Sequence, residues 1–206
     1  MIEDLTRQEQ VELFKKWWHR YGKIALIAII VGLAVGLGWR YWRQHQITQA
    51  GHASIIYQQL QSAAAQKQLS TAQSLSQQLM QNYSGTPYAS MAALISAQEA
   101  VLQGQLNLAL TQLQWVMNHA DLASLQQIAR LRASRILLAQ KQYQSALHLL
   151  KTVNDPVYQP LIDGVTGDVY RAMGDTKLAS QSYQAAQKGF AADGILDPFL
   201  EMKISQ

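Results

Sequence analysis

One apolar run constrains this chain more than any other feature of its 206 residues. Residues 24–37 read IALIAIIVGLAVGL, with no charge, proline or strongly polar group among them. Apolar side chains suit a lipid interior, aromatic rings suit the headgroup level, and cations lie just outside. Such residues flank the run on both sides: Trp17, Trp18, Tyr21 and Lys23 before it, and Trp39, Arg40, Tyr41 and Trp42 after it. The pattern predicts a transmembrane helix over residues 23–42.

The length of the run is slightly below that of an ordinary span. Residues 24–39 would cover roughly 24 Å at ~1.5 Å per residue, against a hydrocarbon core of ~30 Å. The long Lys23 side chain can reach back to the interface and extend the span. A cleaved signal peptide is the alternative, but the preceding segment is long and carries acids and aromatic residues. We therefore expect an uncleaved anchor.

The cations around the run are distributed unequally. Two follow it, Arg40 and Arg43, whereas five precede it: Arg7, Lys15, Lys16, Arg20 and Lys23. Because Lys and Arg are retained on the cytoplasmic side, this bias predicts a cytoplasmic segment at residues 1–22 and an external domain at residues 43–206. The formal net charge of +4 comes largely from this flank, so the external domain has no footprint for nucleic acid.

Small residues recur every four positions within the run, at Ala28, Gly32 and Gly36. Such spacing lets a second helix approach closely, which predicts helix packing in the membrane. The alternative is that glycine is simply frequent in membrane helices.

The external region is predicted to be entirely α-helical. It is rich in Ala, Leu and Gln, and it lacks alternating β-branched runs. Turn-forming residues divide it into helices of 10 to 20 residues, as in helical repeat proteins. The predicted helices cover residues 48–66, 70–82, 87–103, 106–118, 122–140, 143–152, 157–173, 176–189 and 196–204. The first is expected to continue directly from the span, because residues 38–48 contain no proline.

The segment from Gly167 to Ala186 has the spacing of a tetratricopeptide repeat. Its small, aromatic and turn positions are Gly167, Tyr170, Gly174, Ala179, Tyr183 and Ala186. Small residues let two helices approach, a glycine makes the turn, and tyrosines fill the space around them. The positions equivalent to Ala179 are Ala146, Ala109 and Ala72, and residues 195–204 would form a capping helix. The fold predicted is a tetratricopeptide-like solenoid of helical hairpins.

Several short motifs resemble one known family, the ancillary SecYEG translocon subunit family (YfgM-like). They are residues 38–42 (GWRYW), 45–46 (HQ), 53–58 (ASIIYQ), 130–133 (RLRA) and 202–204 (MKI). The resemblance implies a single-pass protein of a bacterial inner membrane with a periplasmic domain. It also implies association with the SecYEG translocon and with a PpiD-like periplasmic chaperone, in the service of emerging client proteins. The same family is linked to envelope-stress signalling.

The sequence offers little for catalysis. The five histidines form no pair with metal-ligand spacing, there is no cysteine, and no glycine-rich phosphate loop lies outside the apolar run. We therefore expect no enzyme activity, no metal and no cofactor. Two functions stay open: a scaffold at the translocon exit, or a regulator of an envelope-stress pathway.

A binding surface is the expected alternative to an active site. The first helix of each hairpin would line a mostly apolar groove suited to an apolar partner segment. The groove residues in this register are Met91, Leu94, Val101, Ile128, Leu131, Arg135, Leu138 and Leu161. The alternative is that these side chains are buried within the stack.

Overall fold

The computed structural model describes the backbone of residues 7–192, 194–195 and 197–204. Between residues 7 and 29 it describes the side chains of Trp18 and Leu26 alone. The chain divides into two compact units, Met1–Thr48 and Gln49–Gln206. Every element in the described ranges is helical, which confirms the predicted all-α class.

The first helix, α1, extends from Arg7 to Ala65, a length of 59 residues. The predicted continuity between the apolar run and the first external helix is confirmed, because no break occurs between residues 38 and 48. Among the residues that the structure describes, no helix combines the length and the apolar character that crossing a bilayer requires.

The remaining helices follow at short intervals. They are α2 (Leu69–Asn82), α3 (Pro87–Leu102), α4 (Leu106–His119), α5 (Ala123–Ala139), α6 (Tyr143–Leu150), α7 (Gln159–Met173), α8 (Thr176–Ala192) and α9 (Pro198–Ile204). Four hairpins result in the second unit. The first joins the end of α1 to α2, and the others are α3–α4, α5–α6 and α7–α8; α9 packs on α8.

The four hairpins share one kind of turn. Its central residue has a positive φ, 57° at Lys67, 72° at Gly104, 61° at Lys141 and 87° at Gly174. At the second turn, the amide of Gln105 donates to the carbonyl of Ala100 at 2.8 Å, and that of Gly104 donates to Val101 at 2.9 Å. This bonding pattern closes a helix on a left-handed residue. The turn therefore sets a common register for the hairpins.

The connection between α6 and α7 differs from its prediction. A helix was expected from residue 157, but Pro156–Tyr158 forms a separate 3₁₀ turn. The Asp155 carboxylate accepts a hydrogen bond from the amide of Val157 at 3.1 Å, which fixes the start of this turn. Pro160 then lies in the first turn of α7, where its missing N–H costs nothing.

Clusters of apolar residues lie between consecutive hairpins. One cluster joins α1, α2 and α3 around Leu60 and Leu79. A second joins α3, α4 and α5 around Leu113 and Val116. Two further clusters hold α7 against α5 and α6, and α9 against α8. Each hairpin is thus stabilised by its neighbours, as expected of a repeat protein.

Candidate functional site

A continuous series of large apolar side chains on α1 is exposed in the first unit. Each is more than half accessible, whereas soluble proteins rarely expose such a contiguous patch. The residues are Ile30, Val31, Leu33, Val35, Leu37, Trp39, Tyr41 and Trp42.

The structure describes the side chains of only some of the aromatic and basic residues that were expected to flank the membrane. Trp18 is 49% exposed, and Arg40 is exposed. The Trp39 and Trp42 rings pack with their centroids 5.4 Å apart. The side chains of Trp17 and Lys23 lie outside the described residues.

The small residues predicted to admit a second helix are Ala28, Gly32 and Gly36. The side chain of Ala28 lies outside the described residues. A Cβ added to Gly32 or Gly36 would meet no described atom within 4 Å. In the described part of the first unit, both glycines therefore leave their helix surface uncovered.

The fourth hairpin is built around a close contact between α7 and α8. Tyr183 of α8 is 1% exposed, and its ring lies over Gly167, where a Cβ would approach two ring carbons to 2.5 Å. Ala179 and Ala186 are also buried in α8, while Tyr170 is half-buried against the same cluster. Gly174 makes the left-handed turn between the helices.

The hydroxyl of the buried Tyr183 has a charged partner. It donates a hydrogen bond to the Asp168 carboxylate at 2.9 Å, and Lys203 Nζ of α9 donates to the same oxygen at 2.7 Å. The Arg171 guanidinium lies 3.9 Å from this carboxylate and 5.5 Å from the centre of the Tyr183 ring. Burial raises the pKa of Tyr183, and the bond to Asp168 raises it further. This network fastens the terminal helix to the last hairpin.

The sequence analysis did not identify Asp168 as the partner of Tyr183 and Lys203. The available signal was the tyrosine itself, because a buried phenol needs a hydrogen-bond acceptor. Asp168 follows Gly167 directly and is therefore within reach.

The eight predicted groove residues fall into different environments. Val101, Arg135 and Leu161 are exposed, and Met91, Ile128 and Leu138 are half-buried. Leu94 and Leu131 are buried, at 8% and 6% exposure. Leu131 packs with Leu150 and Ile162 between the third and fourth hairpins, so it contributes to the core.

The described residues contain no candidate metal site. No three His, Asp or Glu side chains come together there in an arrangement that could hold an ion. What the second unit offers is helical surface and the grooves between hairpins.

Hairpins of paired helices with left-handed turns, closed by a short terminal helix, define a tetratricopeptide-type repeat protein. The chain belongs to the tetratricopeptide repeat-like domain family, whose model matches residues 15–206.

Several relatives match this chain over most of their length and indicate a more specific group within the tetratricopeptide-type repeat proteins. The chain is 29% identical over 188 residues to an ancillary SecYEG translocon subunit of Haemophilus influenzae, covering 91% of this chain and 92% of the relative. It is 27% identical over 200 residues to the Escherichia coli protein of the same name, covering 97% and 96%. For the Neisseria gonorrhoeae protein of that name, the identity is 28% and the coverage 99% and 98%. No solved structure matches the chain. The predicted resemblance is confirmed.

Proposed function

We propose that this protein is a membrane-anchored, non-enzymatic ancillary subunit of the Sec translocon. It would link the translocon to periplasmic chaperones, a PpiD-like one among them, and to secretory proteins as they emerge. One observation carries the proposal: the similarity to ancillary SecYEG translocon subunits extends over 97% of the chain and 96% of the Escherichia coli relative.

The exposed apolar series on α1 supports the anchor. Leu33, Val35 and Leu37 are each more than 60% exposed, and lipid tails would cover them at no cost in polar contacts. Trp39 and Trp42 at the end of the series suit the headgroup level. The excess of cations before residue 24 favours an N-terminus in the cytoplasm and residues 43–206 in the periplasm.

The repeat architecture supports a role in protein binding. Stacked helical hairpins present extended surfaces without an enclosed active site. Exposed Val101 and Leu161, together with half-buried Met91 and Leu138, offer apolar surface to a partner segment. The apolar series on α1 would contact lipid, and the surfaces of the repeats would bind protein partners. One chain could therefore bind the membrane, the translocon and a chaperone.

Copurification from crosslinked membranes tests the translocon link. The tagged full-length protein is expected to recover SecY and a PpiD-like chaperone. Gly32→Leu with Gly36→Leu should reduce recovery of SecY if the translocon docks on this face of α1, while Ala50→Leu, on the half-buried part of α1 beyond the span, serves as a control. Failure of the unsubstituted protein to recover any translocon subunit would refute the proposal.

Deletion of residues 2–22 separates the scaffold from an envelope-stress regulator. A scaffold keeps its periplasmic partners after the deletion, whereas a signal that depends on the cytoplasmic segment is lost. Loss of the chaperone on deletion would contradict the scaffold.

Protease treatment of spheroplasts tests the proposed topology. The domain at residues 43–206 should be digested, leaving a small membrane-bound fragment. Complete protection of the domain, with digestion only after lysis, would show that residues 43–206 lie in the cytoplasm and would contradict the proposed orientation.

A further inference from the structure

The first and second hairpins enclose a groove of about 340 Å³. Its walls come from α2, the second half of α3 and the beginning of α4. This groove is separate from the predicted one, since two of its three walls are the second helices of their hairpins. All of its residues lie in the second unit.

Polar side chains make up a large part of the groove lining. Five glutamines contribute to it: Gln73, Gln77, Gln103, Gln105 and Gln112. Glu99 is the single charged side chain among the lining residues. Exposed Leu69 and Leu108 lie at its edge.

The same position one hairpin further along the chain is filled with apolar side chains. The turn residues Lys67, Gly104 and Lys141 have equivalent conformations, so adding 37 to a residue number gives its counterpart in the next hairpin. The resulting pairs are Ser76 with Leu113, Glu99 with Ile136, and Gln112 with Leu149. All three counterparts pack in one apolar cluster, and Leu113 is fully buried.

At these three positions, polar residues therefore stand where the next hairpin packs apolar side chains. Polar residues at such positions sacrifice apolar burial, and a protein retains them mainly where a site needs them.

Two of these polar groups have no partner. The Glu99 carboxylate makes no hydrogen bond or ion pair with the residues that the structure describes. Gln112 Oε1 is buried without a hydrogen-bond partner among the described atoms. If this amide were rotated, its NH₂ group would lie there instead, so the groove presents a polar group at this point in either orientation. Ser76, by contrast, donates to the carbonyl of Ala92 at 3.0 Å and is satisfied.

We infer that this groove binds an extended protein segment that places a Lys or Arg side chain against Glu99. A cation complements the isolated carboxylate, and a peptide N–H complements Gln112 Oε1. Side-chain amides both donate and accept, so the glutamines suit a peptide backbone. Leu69 and Leu108 would cover the apolar stem of the bound cation. The inference rests on the proposed function only in taking the partner to be a protein.

Peptide binding to the full-length protein in lipid nanodiscs tests the inference. The probe is a fluorescein-labelled decapeptide of Ser and Leu with one central Lys, and its partner peptide carries norleucine in that place. Fluorescence anisotropy should show the Lys peptide binding about tenfold more tightly, with the difference decreasing at high salt. Glu99→Gln should remove this preference. Asp121→Asn, which removes an exposed acid outside the groove, should leave it intact.

A second variant fills part of the groove with an apolar side chain and is not expected to unfold the protein. Gln112→Leu introduces the residue type of its counterpart, Leu149, so the thermal melt should stay at or above that of the unsubstituted protein, while binding of the Lys peptide is lost. The inference is wrong if the two peptides bind equally, or if Glu99→Gln or Gln112→Leu keeps the preference for Lys.

The experiments distinguish a failure of the groove inference from a failure of the proposed function. A protein that prefers the Lys peptide but recovers no translocon refutes the translocon role alone. A protein that recovers the translocon but shows no preference refutes the groove alone.

Discussion

The ring of Tyr183 occupies the space that a side chain at Gly167 would need. A methyl group there would lie 2.5 Å from two ring carbons, a separation that real Cβ atoms do not tolerate. The tyrosine is 1% exposed and is held by its hydroxyl, so it cannot swing away. This pair sets how closely α7 and α8 approach.

Gly167→Ala should destabilise the protein by about 1–3 kcal/mol, because the methyl group overpacks the contact with Tyr183. The matched control is Gly164→Ala on the same helix, where a Cβ would lie 4.0 Å from Ala186. That substitution should be neutral or stabilise by up to about 1 kcal/mol, since alanine favours the helix. Chemical denaturation of both variants measures the two effects, and equal stabilities would contradict the contact.

Lys141→Gly should stabilise the third hairpin. Lys141 has a φ of 61°, where a side chain costs about 1–2 kcal/mol and glycine fits freely. Part of this gain is offset because glycine loses more entropy on folding, leaving about 0.5–1 kcal/mol. Gly104→Ala, at the equivalent turn, should show the opposite sign. A higher melting temperature for the first variant and a lower one for the second would support the shared turn, and two changes of the same sign would contradict it.

Stability at alkaline pH should depend on Tyr183. Burial and the bond to Asp168 raise its pKa above the value of about 10 that it has in the unfolded chain. The native state thus retains this proton when the unfolded state releases it, so its contribution is complete below about pH 10 and decreases above that pH.

Comparison with Tyr183→Phe isolates this effect. The variant should be less stable by about 1 kcal/mol at neutral pH, because it loses the hydrogen bond to Asp168. The difference should be constant between pH 6 and 9 and should narrow above pH 10. Urea titrations across this range measure it, and a difference that stays constant to pH 11 would be inconsistent with a raised pKa.

Leu131→Glu should unfold the second unit, or lower its melting temperature strongly, because Leu131 is core between the third and fourth hairpins. An isolated carboxylate in such a site is very unfavourable. Leu161→Glu is the control, since Leu161 is exposed and its charge would stay hydrated. A normal melt for Leu131→Glu would instead place residue 131 at an open surface.

The helical hairpins could be predicted because their signals are local. The alanines at 72, 109, 146 and 179 recur at spacings of 37, 37 and 33, and all four are buried. The turn residues Gly104 and Lys141 are also 37 positions apart, although lysine does not itself favour that conformation.

Other features needed three-dimensional information. Lys203 and Asp168 are 35 positions apart, and nothing in the sequence marks them as partners. The sequence could not decide whether Leu131 is buried, because an apolar residue on a helix suits both a core and an open groove. The polar groove became recognisable only once the turns had fixed the register in which Glu99 and Ile136 are equivalent.

The polar groove also has a consequence for how the repeats unfold. In a linear array, cooperativity is transmitted through the interfaces between neighbouring units. The interface at Glu99 and Gln112 lacks the apolar contacts that Ile136 and Leu149 supply one repeat later. Coupling should therefore be weaker there than at the next interface, so α2 should exchange its amide hydrogens by opening that leaves α4 and α5 protected. Occupation of the groove by a ligand would couple the first hairpin to the rest of the array.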